Sequence, residues 1–189
     1  MTSAFFRTPA ITNYKNPTTA WKEESSTSGT FEATSIEKIL QTAHLRGQLT
    51  AIFAAARDEY FEDGMDSEFS RDLVDFVSRY GLSAVKVLRE FISDLTLSSE
   101  TVYEALRWIG KINDVATRNE RLRLLEESLR SPVASLRDGA VLGLAWMDDP
   151  QVMRSVQQAL LKETNWLVQK SMHHLLEQLK KTASEATPA

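Results

Sequence analysis

The sequence predicts an all-α protein built as an array of helical hairpins, and three observations carry that prediction. Only 7 Gly and 5 Pro occur in 189 residues that are 42% hydrophobic, too few turn-formers for a many-stranded sandwich. Side-chain caps recur ahead of amphipathic stretches, which gives roughly seven or eight helices joined by short connections, so consecutive helices should lie antiparallel. Finally, the apolar positions superpose on themselves. Leu73/Val77/Tyr80, Ala105/Ile109/Ile112, Ala140/Leu144/Met147 and Met172/Leu176/Leu179 share a four-then-three spacing, at successive shifts of 32, 35 and 32 residues. Between them lie Val85/Leu88/Ile92, Leu122/Leu125/Leu129 and Met153/Val156/Leu160, with three-then-four spacing and shifts of 37 and 31. Two interleaved series with one mean period describe first-type and second-type helices repeating as pairs.

The elements follow in order. Residues 1–34 hold eight Thr and four Ser without a sustained apolar period, and are expected to form a flexible N-terminal tail. Arg7-Thr8-Pro9 interrupts the apolar start, so no secretory signal is expected there. The tail nevertheless carries Phe5, Phe6, Tyr14, Trp21 and Phe31, which suits an arm laid along its own domain, or else a partner-binding or secretion-related segment. Thr34-Ser35-Ile36-Glu37 reads as a capping box opening a helix whose apolar side is Ile36, Ile39, Leu40, Ala43, Leu49, Ile52, Phe53 and Ala56, closed at Asp63-Gly64. Further starts are expected at Asp66, Ser98 or Ser99, Thr117 with Glu120, Ser131-Pro132, Asp149-Pro150 and Asn165, and Gly81 is expected to close a helix. The repeat domain thus spans 35–181, and the small, polar residues 182–189 are expected to be disordered.

Ser131 to Pro150 resembles the first helix and turn of a HEAT-like (Armadillo/HEAT-type) helical repeat: an aliphatic-Arg pair at Leu136-Arg137, a small residue at Ala140, then an Asp-Pro corner at Asp149-Pro150. Asn165 onward, with Val168-Gln169 and Leu175-Leu176, is similar to the opening of the next repeat, and a looser likeness extends the match to residues 66–181. The resemblance implies a short right-handed α-solenoid of about four antiparallel helical hairpins, whose concave face, lined by second-type helices, holds another macromolecule. Some HEAT-like proteins are bilin lyases or DNA glycosylases, which makes a solenoid-type enzyme the alternative.

Composition removes several chemistries. With no Cys there is neither thiolate catalysis nor a Cys-ligated zinc site, and no disulfide framework. A net charge of −4 and the absence of an 18-residue apolar run argue for a cytoplasmic domain with no membrane or nucleic-acid partner. Arg118, Arg121, Arg123 and Arg130 are interleaved with Glu120, Glu126 and Glu127, so they read as intramolecular pairs rather than a phosphate-binding stripe. His173 and His174 are adjacent and point ~100° apart on a helix, which prevents a shared metal face. No nucleophile elbow or Gly-rich phosphate loop occurs, so neither catalytic residues, nor a cofactor, nor a metal site is expected.

What remains is surface for another protein. Residues 57–72 contain seven acids and two arginines, a local charge of −5 that would steer a partner with a basic surface; Glu62, Asp63 and Asp66 are the binding candidates there. On the second-type helices the candidates are Lys86, Arg89, Glu90, Arg123, Glu126, Arg154 and Gln157. Trp108, Trp146 and Trp166 are expected in core or inter-repeat packing, with an exposed Trp as a binding hot spot the alternative. The expected function is a non-catalytic protein-binding module, either an adaptor or assembly chaperone, or an immunity or antitoxin protein that neutralises a toxin or nuclease.

Overall fold

The computed structural model describes residues 28–62, 65–93 and 97–185, and every regular element among them is helical. In order these are α1 (Ser28–Ala55), α2 (Glu68–Ile92), α3 (Ser99–Lys111), α4 (Arg118–Ser128), α5 (Ala134–Met147), α6 (Met153–Leu160) and α7 (Trp166–Glu185), with single 3-10 turns at Ala56–Asp58 and Pro150–Val152. The chain separates by contact into residues 1–37 and 38–189; the first contributes only the opening turns of α1 to the described residues.

In the second unit, α3 packs along α5 and α5 along α7, while α4 lies on α5, α6 on α7, and α2 on both α3 and α4. The repeating triplets contribute to the core between them, alongside residues such as Leu106, Leu124, Val141 and Leu175. All triplet members are buried except Tyr80, Met153 and Leu160, which are half-buried. At the α3–α5 crossing the two backbones touch: a Cβ on Gly110 would stand 2.6 Å from the Cα of Gly143, and one on Gly139 would stand 2.8 Å from the carbonyl oxygen of Tyr103. Only glycine permits that approach. A second cluster of rings joins α1 to α2, with Phe53 edge-on to Phe69 (5.1 Å between centroids) and to Phe91 (5.0 Å).

Helix boundaries depart from expectation for local reasons. α1 already runs at Ser28, so Thr34 lies inside the helix instead of capping it. Its other end comes at Ala55 with one 3-10 turn, well before Gly64. Of its expected apolar side, Leu49, Phe53 and Ala56 are buried, whereas Ile36, Ile39 and Leu40 are more than half exposed. α2 is capped by Ser67, not Asp66: Ser67 Oγ accepts from the Ser70 amide and Ser70 Oγ from the Ser67 amide. The Glu59 carboxylate takes two more first-turn amides, those of Glu68 and Phe69. Gly81 divides α2 as expected, at φ 55 and ψ −132.

Further on, Ser131-Pro132 sits ahead of the α5 start; Ser131 Oγ accepts from the Val133 amide and the helix begins at Ala134. Thr117 does cap α4, but its hydroxyl bonds the Asp114 carbonyl and Arg121, so no capping box forms with Glu120. The corner at Asp149-Pro150 forms as expected, with the Asp149 carboxylate accepting from the Gln151 amide, and Asn165 caps α7 through the amides of Leu167 and Val168. α7 continues through Glu185, past the expected boundary at 181, because the Thr182 hydroxyl donates to the carboxylate of Asp148.

Candidate functional site

Three buried or half-buried arginines tie helix ends to the connections between helices. The Arg121 guanidinium, 2% exposed, donates to the carbonyls of Ile109 and Asp114 and to the Thr117 hydroxyl, and so ties the end of α3 to α4. Burial lowers its pKa from the ordinary arginine value, opposed by the charge of Asp114. Arg118 reaches across to the Asp149 carboxylate at 2.7 Å. Burial works to raise the Asp149 pKa, but bonds from Arg118 and Gln151 outweigh it and leave the carboxyl below its usual value. Arg137 makes a two-pronged pair with Glu163 at 2.6 and 2.7 Å, and also donates to the carbonyls of Ser131 and Pro132. Glu163 accepts the amides of Thr164 and Asn165 as well; Arg137 is the main cause of its lowered pKa.

Around this last pair opens a cleft of about 450 Å³, between the end of α4, the approach to α5, and α6 with the turn that follows it. Its lining carries Glu126, Arg130, Arg137, Ser155, Gln158, Lys162 and Thr164 together with the apolar Leu129, Pro132 and Ala159. The Ser155 hydroxyl donates to Glu126 across the cleft. Arg137 is committed to Glu163, but the side chains of Arg130 and Lys162 have no carboxylate partner among the described residues and are exposed.

The candidates read from sequence fall into three groups. Glu126 lines this cleft; Arg154 and Gln157 are exposed on α6 but are not among its lining residues. Arg89 and Arg123 are drawn into an intramolecular network on Glu120 at 2.9 and 3.5 Å, with Glu127 at 3.8 Å from Arg89, and Glu90 stands 3.9 Å from Arg46. Lys86 is exposed on α2 without such a pair. Glu62 and Asp66 line a separate shallow cleft beside exposed Tyr60 and Met65, whereas Asp63 and Gly64 lie outside the described residues. Of the tryptophans, Trp108 is buried as expected. Trp146 and Trp166 are 59% and 67% exposed, so the inter-repeat packing expected for them is not what they do. Sequence reasoning passed over Gln158, Lys162 and Glu163; an acid two residues ahead of the Asn165 cap is the signal that could have found Glu163.

Comparison with protein-family models, curated proteins and solved structures finds no match to this chain. Among the described residues no helix is long and apolar enough to cross a membrane.

Proposed function

We propose that the chain is a non-catalytic protein-binding module: a short α-solenoid of HEAT-like hairpins whose second-type helices, α4 and α6 with the latter part of α2, carry the partner. The observation that supports this reading best is the 450 Å³ cleft, which brings exposed Arg130, Gln158 and Lys162 to one place beside the apolar Leu129, Pro132 and Ala159. Charged and polar groups interleaved with a few apolar ones suit the polar, solvent-accessible part of a protein interface. The exposed acids Glu62 and Asp66 would add steering toward a basic partner surface, as an immunity or antitoxin protein or an adaptor would use it.

A photo-crosslinking residue at Gln158 tests the proposal in the native cell, with one at Arg79 as control. One stoichiometric protein adduct from position 158 and none from 79 is the expected result; a toxin or nuclease as adduct selects the neutraliser role, and a subunit of a larger complex the adaptor role. Equal or absent labelling at both positions overturns the proposal.

A further inference from the structure

A second surface has its own chemistry and shares no lining residue with the α4–α6 cleft. The connection from α3 to α4 and the end of α5 enclose a smaller cleft of about 250 Å³, lined by Lys111, Asp114, Val115, Arg118, Arg121 and Trp146 among others. Its three cations face one carboxylate, a reversal of sign in a chain of net charge −4. Two of the three are satisfied. Arg121 is bound to two carbonyls and a hydroxyl, and Arg118 to Asp149. Lys111 is different: its Nζ lies 3.6 Å from the ring centre of Trp108 and 4.7 Å from that of Trp146, and it has no oxygen partner among the described residues. Trp108 is buried, so its ring face offers the ammonium a seat that does not depend on a ligand. Beside it, Trp146 and Val115 stand 59% and 85% exposed.

A cation with no carboxylate partner among the described residues, flanked by an exposed indole and an exposed aliphatic side chain, fits one kind of occupant. We propose that this cleft docks an acidic peptide segment of a partner protein, with an Asp or Glu carboxylate on Lys111 and a neighbouring apolar side chain on Trp146 and Val115. Rigid aromatic anchors beside a desolvated charge are where interface energy concentrates. The inference is independent of the role proposed for the α4–α6 cleft.

Phage-displayed random dodecapeptides panned against the full chain supply the probe, and the enriched peptide is then labelled with fluorescein and titrated by polarisation. The expected consensus places an acid within a few residues of Leu, Phe, Met or Trp. Dissociation constants should rise about tenfold or more in Lys111→Gln and in Trp146→Ala, while Lys111→Arg, which keeps the charge but changes its shape, should weaken binding less than Lys111→Gln. Val115→Ser, at a site too exposed to affect folding, should weaken binding as well. No enrichment, a consensus without acids, or affinities unchanged in Trp146→Ala and Val115→Ser would overturn the assignment. Gln158 crosslinking is unaffected by any of these variants if the two surfaces act separately.

Discussion

Gly110→Ala isolates what holds α3 against α5. The added methyl would meet backbone, 2.6 Å from both the Cα and the carbonyl carbon of Gly143 and closer still to its oxygen. Carbon atoms pack at about 3.5–4.0 Å, so the helices must part by about 1 Å, since no side chain can swing aside. Overpacking costs about 1–3 kcal/mol where neighbours can yield. Here parting the helices also loosens Ala105, Leu106, Ile109, Ala140 and Leu144, each buried at this interface, which puts the gross cost at roughly 4 kcal/mol. Alanine recovers about 1 kcal/mol of helix propensity, leaving about 3 kcal/mol. With a urea dependence of about 2 kcal/mol per molar, the midpoint should fall by about 1.5 M. Gly47→Ala on α1, where a Cβ meets nothing within 4 Å, is the control and should raise the midpoint slightly. If Gly110→Ala unfolds at or above the wild-type midpoint, the close crossing is not what the packing rests on.

Three other perturbations probe the joints. Gly81→Ala forces a side chain into φ 55 with ψ −132 and should cost about 1–3 kcal/mol in a chemical melt although the site is open; no loss would mean α2 can straighten there. Arg121→Met keeps much of the buried volume but strips the carbonyls of Ile109 and Asp114 of their donor, for an expected loss of about 3 kcal/mol; hydrogen exchange should speed up first at the α3–α4 connection, and uniform exchange would contradict the tie. Glu163 titrates below its ordinary 4.5 in the folded chain, so its stabilisation is complete above that pH and is lost as pH falls through the lowered value. Melting temperature followed from pH 6 to 3 should therefore drop less steeply in Glu163→Gln than in wild type, and parallel curves would refute the assignment.

Periodicity made the core legible because each first-type triplet, Ala140/Leu144/Met147 for example, needs only one face and one period to be recognised, and those side chains are buried. The same rule misjudged Ile36, Ile39 and Leu40, which share a helix face but remain exposed. A periodic stripe says which side of a helix is apolar, not whether anything covers it. Arg121 was illegible for the opposite reason. A charged residue among Glu120 and Arg123 reads as solvent-facing, and only the folded chain supplies the orphan carbonyls at the end of α3 that make its burial tolerable. Glycines 110, 139 and 143 look like weak points in helices until the opposing backbone is placed against them.

The candidate surface was half legible, and the reason bears on where binding energy can come from. Charge patterning picks out Arg89 and Arg123 as readily as Lys86 and Arg154, yet Glu120, only 9% exposed, already holds the first two. Detaching Arg89 to meet a partner would strand a buried carboxylate, which costs more than a surface pair returns. Cations with no carboxylate among the described residues carry no such debt. Arg130 and Lys162 in the larger cleft, and Lys111 between its indoles, can each take a partner's acid without breaking an existing pair. A partner should therefore discriminate between Lys111→Gln and Arg123→Gln, losing affinity with the first and little with the second, although the sequence presents both simply as basic residues on a mixed-charge helical surface.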